Sequence, residues 1–174
     1  MKAQFRSANL SDVPQILELV QSAYRGDSSR QGWTTEADLL DGGLTFTDEV
    51  SSIIRAADNK IILLETDGRL RASVHIKKQA QGLAYLGMFA VSPEQQNQGL
   101  GKRLLQYAEA AAVADWQCQR MEMTVIHQRQ ELIAWYQRRG YKLSGEQRQF
   151  PYGDTRYGIP KRQNLILDVL TKSI

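Results

Sequence analysis

The stretch Gln96-Asn97-Gln98-Gly99-Leu100-Gly101-Lys102 lies between a nearly continuous apolar run, Leu83 to Val91, and a segment with helical periodicity. A turn from a strand into a helix aims backbone N–H groups at one spot, where the first donors of the helix lack partners and its dipole is positive. The chemistry on offer is anion binding. Two phosphate motifs are excluded: a dinucleotide fingerprint needs a third glycine at 104, which is Leu104, and a Walker loop needs glycine at 96 and Ser or Thr at 103, which are Gln96 and Arg103. A second group with chemical potential is Tyr136, within Trp135-Tyr136-Gln137-Arg138-Arg139-Gly140-Tyr141. By periodicity alone it belongs to an apolar stripe with Leu132 and Ile133.

Metal and thiol chemistry have little to work with. One cysteine, Cys118, excludes an internal disulfide framework, and with His75 and His127 it cannot complete a four-ligand zinc site. The chain of 174 residues is sized for one domain, 1–174, able to bury a core without staples. The opening residues have no apolar leader core and no run approaches a membrane span, so the expectation is a cytoplasmic protein with no membrane partner. With 22 Lys+Arg against 19 Asp+Glu, scattered rather than blocked, the charge pattern argues against nucleic-acid binding.

The elements that must position these groups follow from periodicity. A short strand near Lys2 to Ser7 precedes a helix capped by Ser11, with a stripe of Val13, Ile16, Leu17, Val20 and Tyr24. Helical pieces are expected over Thr35 to Leu40 and Thr47 to Ala57, and two strands, Lys60 to Glu65 and Leu70 to Lys77, joined at Asp67-Gly68. Leu83 to Val91 and Met121 to Ile126 read as buried strands, each followed by a helix, Gly99 to Asp115 and Arg129 to Arg139. Two strands around a Pro/Gly/aromatic loop complete the chain. The fold class is α/β (α+β), a mixed, mostly antiparallel sheet of about seven strands with helices on both faces.

The pattern Q-x-x-G-x-G after a strand, a second strand, and then Tyr136-x-x-x-Gly140-Tyr141 resembles the GNAT N-acetyltransferase superfamily. The motifs cover Leu83 to Tyr141, and the order of elements is compatible along the whole chain. The resemblance implies acetyl-CoA as cofactor, with its pantetheine arm added as a strand between the splayed Leu83–Val91 and Met121–Ile126 strands. Phe89, Ala90 and Val91 would then face the pantetheine, and Gln96, Asn97, Gln98, Gly99, Leu100, Gly101 and Lys102 would hold the pyrophosphate. Gly87 suits a bulge that frees a backbone N–H toward the thioester.

Tyr136 matches the family's general acid: a phenol of pKa ~10 beside a thiol of pKa ~8.5 can deliver or share a proton with the departing thiolate. Two positions depart from the family pattern. Arg129 stands where Asn is frequent, and Tyr85 stands where some members carry a glutamate base. Glu122, on the adjacent strand, is the candidate base, with a water chain as the alternative. The segment containing Tyr24, Arg25, Trp33 and Asp38 occupies the region that caps the acceptor channel in related folds, and the loop Arg148 to Pro160, with Tyr152 and Asp154, lies opposite. Carboxylates there would hold an ammonium and arginines a carboxylate or phosphate. The resemblance implies a direct, ternary-complex N-acetyltransferase acting on a small-molecule amine such as an amino acid, with a homodimer possible through strands that include Leu165 to Leu170. The competing readings are a non-catalytic acyl-CoA-binding module and a protein or peptide N-acetyltransferase.

Overall fold

Asp67 and Gly68 both adopt positive φ, 51° and 70°, the geometry that lets a two-residue turn follow the twist of the strands it joins. That turn pairs β3 (Asn59–Thr66) with β4 (Arg69–Lys78) at the centre of the molecule. The computed structural model describes residues 2–43, 45–154, 156 and 158–174. Tyr157 of the expected acceptor loop lies outside the described residues.

Strand β1 (Ala3–Ser7) enters α1 (Val13–Tyr24) through a single 3₁₀ turn. Asn9 rather than Ser11 makes the cap: its Oδ1 accepts the Ser11 N–H at 2.9 Å while the Asp12 carboxylate accepts the Asn9 N–H at 2.8 Å. The residues expected as a helix from Thr35 to Leu40 instead make one turn, in which the Leu39 and Leu40 N–H groups donate to Glu36 C=O. Leu40 then enters a two-residue strand, β2 (Leu40–Asp41). A segment this short cannot offset the cost of helix nucleation, so its pairing partner decides its conformation.

Helix α2 (Thr47–Arg55), β3 and β4 are followed by β5 (Leu83–Val91), α3 (Leu100–Trp116), β6 (Arg120–Ile126), α4 (Gln130–Gln137), β7 (Lys142–Gln149), β8 (Ile159–Pro160) and β9 (Ile166–Ser173). Seven strands form one sheet in the order β1-β3-β4-β5-β6-β9-β7, antiparallel except between β5 and β6. β2 and β8 form a separate ribbon. The C-terminal β9 pairs on both sides, with β6 and β7, so it is interior and β7 is the edge strand.

Alternation along β3 serves two cores. Ile62 and Leu64 join Val74 and Ile76 beneath α3, which buries Leu100, Leu104, Leu105, Ala108 and Ala112. Ile61 and Leu63 face the other way, onto Val13, Ile16, Val20 and Val50 of α1 and α2. Helices therefore cover both faces of the sheet, and β3 is apolar on both sides for that reason. Cys118 is buried in the α3 core, where desolvation pushes its thiol pKa up. Among the described residues no helix is long and apolar enough to cross a membrane, and no group of His, Cys, Asp and Glu could hold a metal ion.

Candidate active site

The parallel pairing of β5 and β6 runs only from Leu83 opposite Arg120 to Tyr85 opposite Glu122. Beyond that point the strands have no partner in each other, and the edge of β5 from Leu86 to Val91 opens into a wedge. On its other side β5 carries an extra residue against β4: Ser73 pairs with Ala90 but His75 with Gly87. The irregular residue is Met88, at φ 46°. Gly87 itself is regularly paired, and its lack of a side chain has a different use, since a Cβ there would meet Tyr85 Cε1 at 3.0 Å. The bulge expected at Gly87 thus falls one residue later.

At the wide end of the wedge lies the Gln96–Lys102 turn. Asn97 (φ 67°) and Gly99 (φ 78°) are left-handed, which folds the chain so that successive donors point the same way before α3 begins. Among the described residues, the backbone N–H groups of Asn97 through Lys102 have no acceptor. Six orphan donors at a positive helix end can bind an anion. Gln96 does something else with its side chain. Oε1 accepts the Trp33 N–H at 2.8 Å, and Nε2 donates to Thr34 Oγ1 at 2.8 Å and to Val91 C=O at 3.1 Å, so it pins the 33–34 segment over the wedge.

Two cavities occupy the wedge. The first, about 330 Å³, is lined by Trp33, Thr34, Phe89, Val91, Gln96, Asn97, Gly99, Gly101, Lys102, Trp135 and Arg139. Arg139 lies over the Trp135 indole at 3.5 Å and donates to Trp135 C=O at 2.7 Å, a cation beside the orphan donors. The second, about 620 Å³, spreads over the α1/α2 face of the sheet and includes Arg25, Glu36, Glu49, His75, Lys77, Tyr85, Arg129, Tyr136 and Arg148. Tyr24, Phe89 and Leu132 line both. The Tyr24 hydroxyl donates to the Phe89 carbonyl at this junction, and burial pushes its pKa up to about 12.

Tyr136 projects from α4 into the second cavity, held by edge-on contacts with Trp135 at 5.0 Å and Tyr141 at 5.7 Å. Among the described residues its hydroxyl makes no hydrogen bond. Burial raises its pKa far above the ordinary phenol range, and the nearby Arg129 acts in the opposite sense. The phenol therefore stays protonated, with a donor free to meet something that enters the wedge.

Other sequence-predicted residues are not brought to the cavities. The Ala90 side chain packs against α1 and Leu100 packs beneath α3, so any contribution from Ala90 is through its backbone. Gln98 is exposed and lines neither cavity. Glu122 is held by Arg148 at 2.9 Å and is likewise absent from both linings. Asp38 is bridged by Arg30 at 2.8 Å at the surface, and Asp154 by Arg156. Tyr152 orders the last loop instead of facing the cavity: its hydroxyl accepts the Leu165 N–H at 2.7 Å and donates to Arg162 C=O at 3.1 Å. Trp33 lines the first cavity, not the second. Tyr24 and Arg25 both line the second cavity.

Sequence reading missed Glu36 and His75. Glu36 lies 93 positions from Arg129, which bonds it at 2.8 Å, and no local pattern announces such a pair. His75 is legible only as a strand residue, yet it lines the second cavity, with Nε2 2.6 Å from Asn59 Oδ1. Burial first, and Lys77 second, bring its pKa down to about 4. An unfolded chain takes up this proton near pH 6.5 and the folded chain only near 4, so acidification through that window favours unfolding, by up to about 3 kcal/mol. Chemical denaturation of His75→Gln at pH 7 and pH 4.5 should show a smaller loss of stability on acidification than the parent chain shows. An equal loss would remove His75 as a source of acid sensitivity.

Comparison with known proteins agrees with this geometry. The chain is 31% identical to S-(2-succino)cysteine N-acetyltransferase of Bacillus subtilis over 154 residues, covering 84% of this chain and 88% of that protein. Its fold is shared with ribosomal-protein-S18-alanine N-acetyltransferase of Escherichia coli (TM-score 0.73, 17% identity, 99% of this chain and 94% of that chain). It is likewise shared with PaiA N-acetyltransferase of Thermoplasma acidophilum in complex with coenzyme A (TM-score 0.71, 16% identity, all of both chains). Residues 14–141, which run from α1 through the wedge to the aromatic after α4, match the profile of the Acetyltransferase (GNAT) family. The splayed strands and the orphan-donor turn thus lie inside the matched region, and the chain belongs to the GNAT family of acetyltransferases.

Proposed function

We propose that the protein transfers an acetyl group from acetyl-CoA to the primary amine of a small molecule, an amino acid or a related amine, by direct attack in a ternary complex. The observation that carries this reading is the meeting of two cavities at Tyr24, Phe89 and Leu132, one edged by orphan backbone donors and the other by charged side chains. Acetyl-CoA supplies the reactive thioester when bound. Asn97 to Lys102 would hold its pyrophosphate and the open edge of β5 its amide-bearing arm, with Gly101 leaving room beside Phe89 and Val91. Tyr136 presents a proton at its hydroxyl to the departing sulfur. With Glu122 tied to Arg148, the amine proton leaves through water. Cys118 is buried in the α3 core and lines neither cavity, so no acetyl-cysteine is required.

A small acceptor is supported by the β2–β8 ribbon, whose Leu40 lines the second cavity. Lys161 N–H donates to Leu39 C=O at 2.9 Å, Lys161 Nζ to Ala37 C=O at 2.6 Å, and the β2–β8 ribbon closes over Arg25, where Gly158 leaves no space for a side chain. The B. subtilis relative acts on an S-substituted cysteine, which agrees with an amino-acid acceptor. The test is release of CoA thiol from acetyl-CoA across amino acids, polyamines, aminoglycosides and peptides. Release with small amines is expected. Release with peptides alone would move the assignment to a protein-modifying enzyme, and acetyl-CoA binding without release would make the chain a binding module.

A further inference from the structure

Glu36 in the second cavity is shared by two arginines: Oε1 accepts from Arg129 Nη1 at 2.8 Å, and Oε2 accepts from Arg25 Nη1. Arg25 is 1% exposed, and the Arg129 side chain 9%. Arg129 also donates from Nη2 to Thr34 C=O at 2.5 Å and lies 5.4 Å from the Tyr24 ring centroid, beside the junction of the two cavities. Glu36 divides its single charge between two guanidinium groups, so Arg129 has only a shared counter-ion at the cavity wall.

No carboxylate other than Glu36 is bonded to Arg129 among the described residues. Of the other charged lining groups, Arg148 is bridged by Glu146 and Glu122, Lys77 is a cation, and Glu49 is a carboxylate that accepts from the Thr45 hydroxyl at 2.9 Å. His75 is held neutral by burial. Arg129 commits Nη1 and Nη2 to one protein acceptor each. Its Nε–H and the second hydrogens on both terminal nitrogens have no acceptor among the described residues, and the residue lines the cavity.

We infer that Arg129, held by Glu36 and Thr34, is the carboxylate-binding residue of the acceptor subsite and makes the enzyme select amines that carry a carboxylate over polyamines and other cations. This rests on the second cavity being the acceptor site. A carboxylate paired with Arg129 lies beside Tyr24, which places the amine of an amino acid near the cavity junction. The Arg129 guanidinium repels an acceptor whose other groups are ammoniums. Arg129 also starts α4, the helix that carries Tyr136, so acceptor recognition and the proton donor share one rigid element.

The experiment uses the full chain, with CoA-thiol release and calorimetric titration of CoA-saturated protein as separate readouts. The probes are the proteinogenic amino acids and S-(2-succino)cysteine, each against its α-carboxamide, with spermidine as the cationic control. For the parent protein, a charge-assisted pair predicts that the best carboxylate acceptor exceeds its carboxamide by about tenfold to a hundredfold in kcat/KM and in affinity. Arg129→Gln should bring that ratio close to one by losing the carboxylate acceptor alone, and Arg129→Lys, which keeps the charge without the fork, should restore part of it. Equal losses on acid and amide in Arg129→Gln would make Arg129 a structural residue and overturn the inference. So would a parent protein that binds no carboxylate better than its amide. If calorimetry shows the discrimination and no amine releases CoA thiol, the carboxylate site stands and the transferase reading falls. If Arg129→Gln does not fold, the intermediate ratio expected of Arg129→Lys decides the matter.

Discussion

The Tyr136→Phe protein is expected to lose about a hundredfold or more in kcat while binding acetyl-CoA as tightly as the parent, the range typical of removing a positioned proton donor. The ring contacts with Trp135, Phe89 and Tyr141 survive the substitution, because each depends on the aromatic face or edge and not on the hydroxyl. The hydroxyl makes no hydrogen bond among the described residues, so thermal stability should hardly change. A combination of unaltered folding, unaltered cofactor affinity and lost turnover separates a chemical role from a packing role, and unchanged turnover would remove Tyr136 from the mechanism. The pH profile provides an independent check. Burial disfavours the phenolate, so the proton stays on Tyr136 throughout the range in which the acceptor amine becomes free. Activity should therefore rise with the acceptor's own deprotonation and show no alkaline loss attributable to Tyr136 below about pH 10. What the phenol offers is a shared proton, a hydrogen bond to sulfur strengthened by the low-dielectric surroundings, with the Arg129 charge offsetting part of the penalty on the phenolate form.

Gly101→Leu should weaken acetyl-CoA binding by a hundredfold or more, about 2.7 kcal/mol, without lowering the melting temperature. A first carbon at this position fits: it would sit 3.4 Å from Trp135, 3.5 Å from Val91 and 3.7 Å from Phe89, all ordinary contacts. The remaining carbons of leucine have no room in that shell and must project into the cavity of about 330 Å³ between the turn and the open edge of β5. The fold itself gains, since leucine is a better helix residue than glycine by up to about 0.8 kcal/mol and position 101 is in the first turn of α3. Calorimetry with acetyl-CoA and a thermal melt measure the two effects separately. Retained affinity would mean that the pyrophosphate does not lie at this turn.

These expectations differ in how early they were accessible. The Gln96–Lys102 turn is local: an apolar strand, a glycine pair and an amphipathic helix within a few tens of residues fix where the orphan donors must be, and β5, α3, β6 and α4 formed close to the expected bounds. Where local order was weak, long-range partners decided. Leu40 follows β8, not the helical pattern of residues 35–40, and the bulge at 88–89 follows the register that β4 imposes on β5. Glu122 illustrates the limit for the site. Its strand and face are legible, but its pairing with Arg148 depends on β7 lying beyond β9, a sheet order that no local pattern contains.

The amino-acid sequence by itself determined the class of the fold and the motifs, a glycine turn and a tyrosine-bearing helix, that place it among acetyltransferases. These depend on periodicities and spacings shorter than one element pair. Only the tertiary structure decided that β5 and β6 part after Tyr85, that Arg25, Glu36 and Arg129 meet in the larger cavity, and that Asp38, Tyr152 and Asp154 turn to partners elsewhere. The physical reason is that a buried charge must find its partner across the fold, and the partner is set by which strands lie side by side, whatever their separation along the chain.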